Sequence, residues 1–395
     1  MIKLGKGFYQ KNLRLICIES VLSSIGVGFA VSIMNIFWNS VGMNQADIGI
    51  VQMLFTISML FFDIPMGYIA DRFNRKLLNI IGDIGTALSF LFYAFSQNML
   101  MVTIAEISLG FFMSMTNGVD QAFIKYNAEQ IDSSGELFKK LNVKVQIARY
   151  AALFTTTALG GVIARYSLRL SIAASFVPYF VSGIIAIFIK DFDEKLEKRH
   201  DNPFQDMWSA IKEILKDKKT RAYLSVYVSA NEVTHAQIWV FTPLLLLLGV
   251  PVEIVSLGWV LNFLMQTIGG KVSEKMIHFK ITKMYAIPML IAFSWMLIIL
   301  IHLNIITVWV FALNGFVHGL VKANLGTALQ ETASNNVQTS VMSIASTFCR
   351  LVYIPVVYFV NYLGNIQYTY ALAGTLIVFV PFFIINMMFL KKIEN

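Results

Sequence analysis

Two ionisable side chains stand three residues apart inside one long apolar run. They are Glu232 and His235, within residues 222–249. At about 1.5 Å of helix rise per residue, Glu232 lies roughly 16 Å from the basic end of that run. That is near the middle of a ~30 Å hydrocarbon layer. His235 follows one turn later on the same helix face. An ionised group at that depth costs about 3 kcal/mol unless it is paired or hydrated, so such groups are functional candidates by default. Burial disfavours the charged form of both acid and base. A Glu and a His in this setting are therefore suited to carrying protons. Glu106 and Glu19 are further proton-carrying candidates, placed in the runs at 99–122 and 13–38. Arg149 and Arg350 are also deep, in the runs at 141–164 and 338–362, and His318 and Lys322 stand in the run at 304–326. The competing assignment for these groups is structural pairing, such as Glu106 with Arg149. Lys322 could instead snorkel to a membrane surface, and Asp83 could pair with the basic residues at 72–76. Phe37, Trp38 and Trp239 are candidates for an apolar pocket wall.

What must position these groups is a membrane-spanning helical scaffold. The chain has 395 residues, of which 57% are hydrophobic and 14% charged, and its mean hydropathy is +0.66. Soluble domains carry about 25% charged residues. This chain cannot cover its surface with polar groups, so lipid is its natural solvent. Apolar runs fall at 13–38, 47–69, 77–96, 99–122, 141–164 and 168–189. Six more follow at 222–249, 252–271, 282–301, 304–326, 338–362 and 367–390. Each is long enough to span a bilayer. The expected fold is all-α, with 12 transmembrane helices in two six-helix bundles. The expected domains are 1–190 and 221–395, joined by a cytoplasmic linker at 191–220. Within that linker Phe204, Met207, Trp208, Ile211, Ile214 and Leu215 recur at helical spacing beside Lys212 and Lys216. That pattern fits an amphipathic helix, lying on the membrane surface or packed on the protein.

Net charge is +8, and the basic residues concentrate in alternate loops. The asymmetry reads as topology rather than nucleic-acid binding, and it places both termini in the cytoplasm by the positive-inside rule. A multi-pass protein of the cytoplasmic (inner) membrane is expected. The basic N-terminal segment leads into an apolar run without a small-residue cleavage site, which reads as an uncleaved first span. Cys17 and Cys349 both lie in apolar runs and imply no disulfide framework. No nucleotide-binding, zinc-hydrolase or serine-hydrolase signature occurs. No cofactor, metal, catalytic residue or enzymatic activity is expected, and a monomer is expected.

An internal repeat divides the chain at the linker. Arg14 and Gly42 bracket the first run 28 residues apart, and Arg221 and Gly249 bracket the seventh at the same separation. Gly67, Asp71 and Arg72 close the second run. Gly270, Glu274 and Lys275 close the eighth with the same spacing. Duplicated bundles of this kind are common among secondary transporters.

The stretch GYIADRFNRK, residues 67–76, joins the second and third runs. It resembles the loop signature of the major facilitator superfamily, loosely Gly-x-Leu-Ala-Asp-Arg-x-Gly-Arg-Lys. Gly67, Ala70, Asp71, Arg72, Arg75 and Lys76 match. Ile69 replaces Leu, and Asn74 replaces the second Gly, a mild change because Asn tolerates positive φ. The resemblance implies a cytoplasmic gate in which this loop latches the two halves, with Asp120 as partner of Arg75. It also implies that spans one, four, seven and ten line a central cavity. Glu19, Glu106, Glu232, His235, His318 and Lys322 would then fall on cavity helices. DIPMGYIAD and NGVDQA resemble a bacterial branch of exporters, with Asp63 in place of a Glu and Asn117 in place of a Ser. The Gly-Pro pair of drug antiporters is missing from ALFTTTALGG, which keeps only Gly160 and Gly161. The implied function is secondary active transport of a small molecule, by proton-coupled efflux of amphipathic compounds. The alternative is proton-coupled uptake of a polar or anionic nutrient. A non-transporting scaffold or membrane enzyme is the alternative from another class.

Overall fold

The computed structural model describes residues 6–72, 75–117, 119–190, 203–276, 278–332 and 341–394, and the described residues are helical with no strand. Ten segments among them are long and apolar enough to cross a membrane. The chain divides into two compact units, one of Met1–Val41 with Ser58–Asp201 and one of Gly42–Ile57 with Asn202–Asn395. The boundary near 190–220 is joined by a second one inside the helix Gln45–Arg72.

The first unit contains α1 (Lys6–Val31), α2 (Met34–Ser40), most of α3 (Gln45–Arg72), α4 (Arg75–Phe95), α5 (Met99–Thr116), α6 (Val119–Ile131), α7 (Glu136–Ala164), α8 (Leu168–Ala174) and α9 (Phe176–Phe188). Its centre is α1, which packs on α6, α7 and α9, while α4 packs on α5 and α9. An apolar cluster including Ile16, Phe123, Ile124 and Ile189 closes one end. There Asn12 bonds Asn127 at 2.9 Å and takes the Lys190 backbone N–H at 2.9 Å, which pins the end of α9.

The second unit contains α10 (Pro203–Lys216), α11 (Lys218–His235), α12 (Ile238–Leu247), α13 (Val252–Ser273), α14 (Ile281–Ile301), α15 (Ile305–Val308), α16 (Ala312–Leu320), α17 (Gly326–Thr332), α18 (Val341–Ile366) and α19 (Tyr368–Glu394). Several expected spans are divided into two helices, and the seventh and tenth are the two that supply none of the ten long apolar segments. The seventh breaks at Ala236–Gln237 between α11 and α12. The tenth runs through α15, α16, a π turn at Val321–Leu325 and α17. The polar residues Asn231, Glu232, Thr234, His235 and Gln237 explain the first break. The Thr234 and His235 side chains compete for the Asn231 carbonyl, a backbone group that an unbroken helix would use.

Gly42 and Gly249, the glycines that mark the repeat, both have left-handed backbones, with φ of 87° and 76°. Each follows the second segment of its half's first span, where the chain must reverse and only glycine turns freely. The repeat is therefore a repeat of turn geometry. Elsewhere Gly315 and Gly319 sit one turn apart on α16, where a Cβ would collide with backbone carbonyls of Asn262 and Gln266 on α13. Such small-residue spacing is how helices approach closely in lipid, where the hydrophobic effect between them is absent.

The linker pattern forms α10. Ile211 and Ile214 are buried against the protein, while Trp208 stays 57% exposed. The helix thus packs on its own unit along one stripe and leaves its Trp outward. The Phe204 and Met207 side chains lie outside the described residues.

Candidate functional site: a polar centre in each unit

In the second unit the polar centre forms at the end of α11, where the helix stops. Glu232 is 3% exposed. Its Oε1 accepts from Asn231 Nδ2 at 2.8 Å, while its Oε2 has no hydrogen-bond partner. Asn231 Nδ2 also lies 3.6 Å from Cys349 Sγ on α18. His235 Nδ1 lies 3.0 Å from the Asn231 carbonyl, which requires a proton on Nδ1. The Thr234 hydroxyl donates to the same carbonyl at 2.6 Å and lies 3.2 Å from His318 Nδ1 on α16. With its proton so used, Thr234 accepts from His318, which fixes that ring's tautomer too. The two imidazoles meet edge to face at 4.9 Å. Asn314 on α16 donates to the Thr234 carbonyl at 2.9 Å and accepts from Gln237 Nε2 at 3.1 Å. The exposed Lys322, in the π turn, is within electrostatic reach of Glu232, His235 and His318. The sequence-based pair of Glu232 and His235 therefore stands together, with His318 and Lys322 beside it.

Beyond the break, α12 contains Pro243, which cannot donate to the carbonyl four residues back, that of Trp239. Gln45 supplies the missing donor at 3.1 Å and also bonds Asn361 Oδ1 on α18 at 2.6 Å. Gly49 lies where a Cβ would press on Asn361 and Tyr358. These contacts tie residues 42–57 to the second unit. The Trp239 indole N–H donates to Tyr353 at 3.0 Å, and its ring lies 6.4 Å from that of Trp259. Arg350 is half-buried on α18 and engaged.

The first unit holds a more acidic centre. Glu19 on α1 is 2% exposed, and Asp83 on α4 is 4% exposed. The two carboxyl groups are neighbours. Glu19 accepts from Asn79, but Glu19 Oε2 and Asp83 Oδ2 have no donor. Two adjacent carboxylates in a dry setting cannot both ionise cheaply. Asp83 also meets Ser182, which places it in this centre. Asp120 on α6 accepts from Ser20 and feels the charge of Arg149 on α7. Arg149 Nε donates to Ser24 at 3.0 Å.

Glu106 is a separate feature. It is 3% exposed and accepts from the Tyr93 hydroxyl at 3.0 Å, and Tyr93 in turn accepts from the Trp38 indole. Glu106 stands on α5, ten residues before that helix ends, whereas Asp120, which feels Arg149, stands on α6. Phe37 and Trp38 are fully buried and so act as packing residues. Asp63 and Asn117, the two departures from the branch pattern, face each other at 3.4 and 3.5 Å. In the signature loop, Arg75 and Lys76 are half-buried and engaged at the start of α4. The side chains of Gly67, Asp71 and Arg72 lie outside the described residues.

Sequence reasoning missed the facing of Asp83 on Glu19 and the set of Asn231, Thr234, Asn314 and Cys349 around Glu232. Their signal was the density of Asn and Thr inside apolar runs.

Ten helical segments long and apolar enough to cross a membrane, interrupted spans and buried ionisable groups in each half define a polytopic membrane protein of the transporter class. The profile of the Major Facilitator Superfamily matches residues 16–357, and the chain belongs to that superfamily. It is 28% identical over 118 residues to an uncharacterized MFS-type transporter of Methanocaldococcus jannaschii, a match over 30% of this chain and 31% of the relative. It is 24% identical over 197 residues to Multidrug resistance protein 2 of Bacillus subtilis, over 48% of this chain and 47% of the relative. The chain thus matches from a third to about half the length of these curated relatives. Among solved structures it resembles the nucleoside transporter NupG, with a TM-score of 0.76, 11% identity and coverage of 97% and 99% of the two chains. It also resembles a bacterial homolog of the human lysosomal transporter Spinster, with a TM-score of 0.75, 12% identity and coverage of 98% and 97%.

Proposed function

We propose that this chain is a secondary active transporter that exports small amphipathic compounds in exchange for protons, with Glu232 as the principal proton carrier. The observation that carries this reading is the setting of Glu232. It is buried where the seventh span breaks, bonded through Oε1 to Asn231, with the weakly donating Cys349 thiol as the other neighbour of its carboxylate. A carboxylate there gains from either a proton or a cationic group on a substrate. The two would then compete for one site, which is the requirement for antiport. His235, His318 and Lys322 supply neighbouring positions from which a proton could move or be repelled. Glu19 and Glu106 are secondary proton candidates. Trp239 and Arg350 are substrate candidates, and Arg149 serves Asp120. Gly67, Asp71, Arg72, Arg75, Lys76 and Asp120 form the gate on the cytoplasmic side, and both termini lie in the cytoplasm. The partial match to a multidrug resistance protein is in keeping with export.

The test uses inside-out vesicles with an imposed pH gradient, a dye reporting internal acid, and a panel of cationic drugs, sugars, peptides and organic anions. Dye recovery on adding a compound, lost in Glu232→Gln, is the expected result and identifies the substrate class. Uptake driven by the same gradient in right-side-out vesicles, without recovery in the first assay, would replace export with symport.

A further inference from the structure

We propose that a cleft bounded by α10, α11, α18 and α19 holds one acyl chain of an anionic phospholipid. The cleft has a volume of about 230 Å³. Its walls are Val228 on α11, Val352 on α18 and Phe379 on α19. Leu215 on α10 and Phe382 on α19 form its rim, and Arg221 stands at one end. From Arg221 to Ser229 it follows eight residues of α11, about 12 Å along the helix axis. That is the shape of an alkyl segment lying parallel to the membrane normal.

The wall makes no polar demand on an occupant. Ser225 donates to Asn386 Oδ1 at 2.8 Å, and Ser229 accepts from Asn386 Nδ2 at 3.0 Å and pairs with the Tyr285 hydroxyl at 3.0 Å. The serines are satisfied among themselves, so the occupant contributes hydrocarbon. The rim is itself apolar, with Phe382 46% and Leu215 37% exposed. The cleft therefore opens sideways toward lipid rather than toward water.

The head group is defined by charge. Around the Arg221 end, Lys212, Lys216, Lys218, Lys219 and Arg221 outnumber Glu213 and Asp217 five to two. Two cation–aromatic pairs mark the same level. Lys212 lies 5.5 Å over the exposed Trp208 ring, and Lys219 lies 5.7 Å from the Tyr223 ring. Trp, Tyr and Lys together are the residues that settle at a bilayer's head-group layer. Each basic side chain near a surface attracts an anionic lipid by about 1 kcal/mol. The cleft thus offers a hydrocarbon slot capped by positive charge.

The test uses the purified full chain, stripped of lipid in detergent and titrated with phosphatidylglycerol or phosphatidylcholine of identical chains. Bound lipid is counted by native mass spectrometry. Phosphatidylglycerol should bind about fivefold or more tightly than phosphatidylcholine. Arg221→Gln should bring it down to the phosphatidylcholine level. Arg221→Lys should restore the preference, which separates charge from the bond that Arg221 makes to the Leu215 carbonyl. Val228→Phe, checked for folding by its melting curve, should remove both lipids from the site. If that variant does not fold, the Arg221 series decides alone. Equal binding of the two lipids, or a phosphatidylglycerol preference untouched by Arg221→Gln, would overturn the proposal. So would tighter binding of a long-chain amine than of phosphatidylglycerol.

Discussion

The two units repeat a fold but not a chemistry. In the first unit, Glu19, Asp83 and Asp120 share one centre with a single guanidinium, that of Arg149. Of the helices around them, α1, α4 and α7 run on through that level, while α6 begins at Val119 with Asp120 in its first turn. In the second unit one carboxylate, Glu232, sits among neutral donors and two imidazoles at a point where the helix stops. Asp120, which accepts from Ser20 and feels the Arg149 charge, is held in place by its neighbours. Glu19 and Asp83, like Glu232, each keep one oxygen without a hydrogen-bond partner, but they face one another, whereas Glu232 is the lone carboxylate of its centre. The comparison teaches that the same buried residue type meets a cluster of carboxylates in one unit and neutral donors and imidazoles in the other.

The largest effect expected on stability comes from breaking the brace. Arg149→Leu removes the charge that Asp120 feels and the bond to Ser24, and should cost about 3 kcal/mol. Thermal melting of the purified protein would read this as a large drop. A melting point unchanged by Arg149→Leu would remove the distinction between the two centres. Next comes the tie at α12. Gln45→Leu strips the donor from the Trp239 carbonyl that Pro243 leaves open, and should cost about 1–3 kcal/mol. Hydrogen exchange confined to 236–247 would sharpen the assignment, because the loss should fall on α12 and spare α11.

A smaller effect is expected at the start of α11. Asp217 caps that helix by accepting from the Thr220 N–H at 2.7 Å and its hydroxyl at 2.6 Å. The Thr220 hydroxyl, and then its N–H, hold the Asp217 carboxyl below the usual carboxylate range. Asp217→Ala should cost about 1 kcal/mol. A folded-state value below the unfolded one of about 3.9 means the cap contributes fully above that pH. Its contribution fades as pH falls through the lower, folded value. Melting curves of the wild type and Asp217→Ala should therefore converge in acid, and a constant gap would assign the cap's role to packing.

Much of this was legible in the residues. The spans follow from apolar runs, and the repeat's glycines, Gly42 and Gly249, prove to share a left-handed turn. The depth of Glu232 follows from helix rise alone. The breaks in the seventh and tenth spans were not legible, because a hydropathy window averages over the polar residues that cause them. Nor was the facing of Glu19 and Asp83, 64 positions apart, since helical period sets a residue's depth but not the rotation of its helix against a neighbour.

The central claim is that Glu232 exchanges a proton for substrate. It is tested most directly by adding a transported compound to purified protein in weakly buffered detergent solution and following a pH indicator. Wild type should release protons in proportion to compound bound. Glu232→Gln should bind the compound and release none, while melting close to wild type. Equal proton release from both proteins would contradict the account and move the coupling site elsewhere, with Glu19 and Asp83 the next pair to examine.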